Sequence, residues 1–327
     1  MATKFVGRLV KLGIGRETTR GAGASAVYQV PRSVLSFDDK VIKARSIGSL
    51  GNLADSEEAF VTTKYGQGDL EGEIRSSSFG MFLYSMLGSL STSGPTDSAY
   101  THAFTISQTN QHQSLSFVVT DANTTELYKL VMLDSLELTV ELDQIARFAS
   151  TFMSKASRDT GLTVPNPIDE YKFTKKHLSF KIATDIASLG GASGISLKAL
   201  TLKISKNVTL DDALGTAEPE DILNRQLSVE GSLTLNYDAE TYKNYMKDGS
   251  AKAIEIALTN TDEVITPGAT RPSLTIQMPN VDFFDWEPAY GLEEIASQKV
   301  SFKGSRSVPN SQEVIHLCNL VNGVASY

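Results

Sequence analysis

Alternating carboxylates are the residues of this 327-residue chain whose type and spacing could do chemistry. Asp69, Glu71 and Glu73 share one face of an extended segment, opposite Leu70, Gly72 and Ile74. Glu137 and Glu141 do the same opposite Leu136, Leu138 and Leu142. Glycoside hydrolysis needs two carboxyl groups facing each other across roughly 5–10 Å. Spacing along one strand does not show whether such a cleft forms. The same pattern fits solvated strand faces, or an acidic wall along a channel. Other catalytic signatures are missing. His102, His112, His177 and His316 are scattered, without His-x-x-x-His or Cys-x-x-Cys ligand spacing, and His316 with Cys318 offers too few ligands for a metal. Gly13-Ile14-Gly15 lacks the third glycine of a dinucleotide fingerprint. No Gly-x-x-x-x-Gly-Lys-[Ser/Thr] phosphate loop and no Gly-x-Ser-x-Gly nucleophile turn occur. No enzymatic activity, cofactor or metal is expected.

The elements that must position these residues read as strands. Every second residue is apolar in Leu136–Leu142, Leu178–Ile182, Leu200–Ile204, Leu227–Leu235 and Val300–Gly304, the period of a half-buried strand. One face packing a core and the other polar is the signature of antiparallel sheets. One segment is written twice. Leu70-Glu71-Gly72-Glu73-Ile74-Arg75 returns as Val229-Glu230-Gly231-Ser232-Leu233-Thr234, its glycines 159 residues apart (231 − 72). Leu115–Val119 and Leu274–Met278 keep the same distance (274 − 115). The repeat predicts one fold duplicated and fused. The expected fold is therefore mainly β, with two tandem antiparallel β-sandwich or barrel domains, 1–165 and 166–327. The boundary falls in the proline- and glycine-bearing stretch Thr160 to Pro167.

Each half carries one helical pattern after its glycine strand. Phe79, Phe82, Leu83, Met86 and Leu87 form one apolar helical face, with Ser77 or Ser78 as cap and Gly88 as stop. Tyr242, Tyr245 and Met246 repeat it, with Asp238 as cap and Gly249 as stop. Helices this short need support, so each should lie across its own sheet. A long polar stretch precedes each glycine strand, 46–68 and 205–226. Loops of that length in compact domains are usually functional or disordered, and finding one at the same place in both copies favours function. Their expected use is to reach a neighbouring subunit, with Glu57, Glu58, Tyr65, Asp211 and Asp212 as contact candidates.

Composition narrows the function further. Hydrophobic residues at 41% and charged residues at 21% are an ordinary globular balance. The net charge of −8 argues against a tight DNA binder but suits a surface past which DNA slides. Lys172, Lys175, Lys176 and His177, the densest basic run, read as the solvated start of a strand. With Cys318 alone no internal disulfide can form, and its apolar flanks predict a buried, inert thiol. The opening Met1–Phe5 has no long apolar run, and no segment approaches a membrane span, so secretion by a standard signal is not expected. The Asn-x-Thr matches at Asn123 and Asn207 then carry no meaning.

Several phrases carry a family resemblance. Lys11-Leu12-Gly13-Ile14-Gly15-Arg16-Glu17-Thr18-Thr19-Arg20-Gly21, followed by Tyr28-Gln29-Val30-Pro31, resembles the opening of the tail tube (major tail) proteins of long-tailed bacteriophages. So do Leu200–Ser205 through Glu220–Gln226 to Glu230-Gly231, Asp285-Trp286-Glu287-Pro288 and the closing Leu320-Val321-Asn322-Gly323. The resemblance implies a ring-forming β-subunit whose rings stack into a hollow tube. The tube holds the tape-measure protein first and passes genomic DNA later, without sequence-specific binding. Tail terminator and tail-tip proteins are the further partners implied, with assembly in the host cytoplasm. Such rings typically hold six tube domains. A chain with two copies then closes a ring of three chains, a pseudo-hexamer, with a true hexamer the alternative.

Physical reasoning agrees with that picture. A sheet with free edges invites pairing with another chain, and edges donated round a ring leave none exposed. Asp69, Glu71, Glu73 and Glu230 are the lumen-facing candidates. Two other readings fit a soluble β-protein: another virion component, such as a head decoration or tail-terminator protein, or a carbohydrate-binding β-sandwich using Trp286 or Tyr290. Deletion of Ser49–Tyr65 is expected to leave a folded monomer unable to polymerise.

Overall fold

The computed structural model describes residues 4–48, 51, 53, 55, 56, 58–293 and 295–327. The fold is mainly β, almost wholly antiparallel, with two α-helices among the described residues. The first half runs β1 (Lys11–Arg16), β2 (Tyr28–Gln29), β3 (Arg32–Arg45), β4 (Ala59–Glu73), α1 (Phe79–Leu87), β5 (Gly88–Thr96), β6 (Ala99–Ile106), β7 (Leu115–Thr120), β8 (Thr125–Glu141), β9 (Arg147–Ser154) and β10 (Arg158–Asp159). The second runs β11 (Leu178–Ala183), β12 (Ala199–Ser205), β13 (Thr209–Asp211), β14 (Asp221–Leu223), β15 (Ser228–Asn236), α2 (Thr241–Asp248), β16 (Lys252–Thr259), β17 (Ser273–Ala289), β18 (Ser297–Ser305) and β19 (Leu317–Asn322).

The halves share one strand order. In the first, β1–β7–β8–β9–β4–β3 are neighbours, and β10 adds to β8. In the second, β11–β16–β17–β18–β15–β12 are neighbours, and β19 adds to β17. The long strands β8 and β17 each change partners midway, past bulges at Leu133/Ser135 and Phe283/Asp285. A bulge bends a strand, which lets one strand serve both layers of a sandwich.

The structure moves the sequence repeat by four residues. Gly68, not Gly72, is the counterpart of Gly231 (231 − 68 = 163). Gly68 faces Phe152, which faces Leu133 at the bulge; Gly231 faces Phe302, which faces Phe283 at the bulge. A Cβ at Gly68 would lie 2.0 Å from the Ser36 carbonyl and 2.8 Å from the Phe152 ring. At Gly231 the corresponding distances are 2.5 Å to the Thr201 carbonyl and 2.3 Å to the Phe302 ring. Both positions demand glycine because a neighbouring phenylalanine folds over the bare backbone. The second landmark pair fails altogether: Leu115–Thr120 is β7, whereas Leu274–Met278 lies in β17, the counterpart of β8. The hairpin β5–β6, inserted only in the first half, displaces β7 along the sequence and produces the coincidence.

Both helices stand where their apolar stripes predict. Phe79 and Phe82 of α1 pack on Phe148 of β9, with ring centroids 5.5 and 4.9 Å apart. Tyr242 and Tyr245 of α2 pack on Phe283. Gly88 and Gly249 end the helices at φ 88° and 60°, in the left-handed region. The expected side-chain caps are not used. Glu170 takes that role for α1, accepting from Ser77 N at 3.0 Å and Ser78 N at 2.6 Å, while Glu240 rather than Asp238 precedes α2 and makes no side-chain cap bond.

The long polar stretches are partly strand. Ala59–Gly68 belongs to β4 and pairs with β3, so the first is in part a long hairpin arm; residues 49, 50, 52, 54 and 57 between its strands lie outside the described residues. Val61-Thr62-Thr63, rich in β-branched residues, was the overlooked strand signal. The second contains the small hairpin β13–β14. One hydrophobic core runs through both halves, joining Leu138 and Val140 to Leu200 and Leu202.

Candidate assembly surfaces

The two halves are joined edge to edge. Leu138 of β8 stands opposite Leu202 of β12, in a ladder from Ser135↔Ser205 to Glu141↔Ala199. This extends one sheet in the order β3–β4–β9–β8–β12–β15–β18–β17. Both of its outer edges are open. Among the described residues β3 has β4 as its sole ladder partner, and Asp282–Ala289 of β17 has β18.

One face of this sheet is mostly polar. A single transverse row reads Val34, Glu71, Ala149, Glu137, Lys203, Glu230, Lys303 and Asp282, strand by strand. Asp69 and Glu71 are exposed on it, opposite buried Leu70 and Gly72. Glu73 is half-buried and bonded to Arg75 at 2.8 Å. Glu230 is exposed but paired with Lys303 at 2.7 Å. Asp69 and Glu71 have no basic residue directly across from them, whereas Glu73 stands opposite Arg147, and Glu137 and Glu230 alternate with Lys203 and Lys303. Sequence reading found the carboxylates and overlooked Lys203 and Lys303, because their cross-strand register was not visible.

The arm candidates occupy different settings. Tyr65 lies within β4, Glu58 is exposed just before it, and Glu57 lies outside the described residues. Asp211 ends β13 and Asp212 follows it, both exposed. Their arm lies on the first half of the same chain. Lys64 N donates to Ala217 O at 2.6 Å, Arg158 pairs with Glu218 at 2.7 Å, and Arg20 pairs with Asp221 at 2.7 Å. Arg20 also donates to the carbonyls of His112 and Ile222.

The sequence model of a family described as phage tail tube protein matches residues 7–293. The chain belongs to this family. Tail tube proteins are structural components of the virion tail that self-assemble into stacked rings. No curated protein matches the chain.

In this tail tube protein the phrases that carry the resemblance hold elements together. Arg16 donates to the Tyr327 carbonyl at 2.6 Å. Buried Glu17 accepts from Gly21 N, Ser114 Oγ, Ser116 Oγ and Leu130 N at 2.6–2.9 Å. Asn322 donates to the Ser76 carbonyl at 2.6 Å and meets His102 at 3.1 Å. Lys206, fully buried where β12 leaves the junction, donates to the Ser85 carbonyl at 2.7 Å. Desolvation first, and then Arg20, push its ammonium down to about 7 against the pull of Asp134. Burial pushes the Cys318 thiol up to about 12, as its apolar flanks predict. The basic run at Lys175–His177 meets carboxylates: Lys175 pairs with Asp143, and Lys176 and the His177 ring both contact Asp262. Trp286 is not a free sugar platform, because Lys243 covers its ring at 5.0 Å and its indole N–H donates to Gln298.

Proposed function

We propose that three copies of this chain close head-to-tail into a ring of six similar halves, and that the rings stack into the tail tube. The observation that carries this reading is the sheet itself, which runs across both halves and stops at two open edges. An open edge is a template for another chain, and a heterologous contact repeated by rotation closes a ring. The polar face bearing Asp69, Glu71, Glu73 and Glu230 lines the bore. Asp69 and Glu71, which no basic residue faces directly across the ladder, keep DNA phosphates from adhering as the genome passes. The tape-measure protein occupies the bore before DNA does. Tail terminator and tail-tip proteins end the tube, and assembly takes place in the host cytoplasm.

The segment between β3 and β4 and the N-terminal segment before β1 bridge subunits and rings. Apolar residues exposed on the arm, Ile42 at 52% and Phe60 at 58%, support that role, since a lone two-stranded ribbon is marginal in water. Negative-stain microscopy of the concentrated protein tests the proposal. Annular particles with three chains each, stacking into tubes, are expected. A monomer at every concentration would refute it.

A further inference from the structure

The β8–β12 junction inside the chain offers a template for a contact between chains. The first-half strand of that junction is β8 and the second-half strand is β12; their counterparts are the C-terminal part of β17 and β3. Those counterparts are the two open edges. We propose that Asp282–Ala289 of one chain pairs antiparallel with β3 of a second copy, in the register of the β8–β12 junction, so that Asp285 faces Lys40. This rests on the ring reading above and specifies its contact.

Two equivalences set the register. The bulges align Ser135 with Asp285. The carbonyls beneath the paired glycines align Thr201 with Ser36. Transferred through these, Ser135↔Ser205 becomes Asp285↔Lys40, Glu137↔Lys203 becomes Glu287↔Asp38, and Thr139↔Thr201 becomes Ala289↔Ser36.

Two observations independent of these equivalences agree with it. Lys40 and Asp285 are opposite charges, and strand register puts both on the polar face. Inside the chain Lys206 N donates to Asp134 O at 2.9 Å. The same step brings Val41 to Phe284, apolar side chains 45% and 54% exposed in the isolated chain. The arm between β12 and β15 lies on the sister half. Its counterpart, the arm between β3 and β4, would lie on the second half of the neighbour. One contact opposes the register: Glu287 meets Asp38, a like pair, and Lys299 directly across from Glu287 offsets it.

Paired antiparallel residues have Cα atoms about 4.5–5.5 Å apart, within disulfide range. Assembled protein carrying Lys40→Cys and Asp285→Cys is oxidised with copper–phenanthroline and run on non-reducing gels. Buried Cys318 stays silent. We expect covalent dimers and trimers and nothing larger, and only dimers when the two single variants are mixed. Ile42→Cys with Asp285→Cys, two residues out of register, should cross-link far less. Tubes that form without the 40–285 link, or that favour the shifted pair, overturn this register and leave the ring standing. A protein that forms no rings overturns both. If the cysteines themselves block assembly, charge exchange decides. Lys40→Asp or Asp285→Lys alone should raise the critical concentration about tenfold, and the double exchange should restore it. A double variant as poor as the singles contradicts the pairing.

Discussion

At the scale of single residues, the informative side chains are buried and polar. Glu17 satisfies four donors around the opening phrase, so Glu17→Ala leaves several of them unmet at about 1–3 kcal/mol each. A chemical-denaturation midpoint close to the wild type would contradict that role. Lys206 makes stability depend on pH. Its pKa falls from 10.5 in the unfolded chain to about 7 in the fold. Between those values the unfolded state holds the extra proton, so stability rises with pH across that window. Relative to Lys206→Met, the wild-type melting temperature should climb from pH 7 towards pH 10; a constant difference would contradict the burial. The alternation of Asp69, Glu71 and Glu73 was legible because a strand's period is two. Lys203 opposite Glu137 and Glu230 was not, because cross-strand neighbours depend on pairing between distant segments. Glu170 capping α1 from far along the chain was hidden for the same reason.

At the scale of elements, apolar periodicity located both helices, and their glycine stops followed from the left-handed backbone each requires. Phe82, fully buried against Phe148, tests the packing: Phe82→Asp places an unpaired charge in the core and should cost several kcal/mol, on the order of 3 or more. An unchanged melting temperature would contradict it. The repeat was legible in outline and misregistered in detail. Gly72 and Gly68 both face inward beneath a phenylalanine, so the residue pattern alone could not choose between them. Pairing and bulges could. The arm was hidden because its strands carry charge and polar residues on both faces, having no core of this chain to cover. Deleting Ser49–Tyr65 would therefore cut into β4, and a test of the arm alone must stop at Glu58.

At the scale of the whole molecule, function lies in what the chain leaves unfinished. A continuous sheet with two open edges is unsuited to a solitary protein and suited to a ring. On the proposed ring, the polar face becomes the wall past which a polyanion moves. Wild-type tubes should not retain duplex DNA in low salt. Tubes carrying Asp69→Lys, Glu71→Lys and Glu137→Lys should retain it, and release it as salt is raised. Equal retention by both would mean that another face lines the bore. The most direct measurement is electron cryomicroscopy of the assembled tube at a resolution that separates strands. The account predicts three chains per ring, six similar lobes, and β3 of each chain hydrogen-bonded to β17 of its neighbour. Rings in which those two edges remain apart, or in which the two halves of a chain occupy dissimilar surroundings, would contradict it.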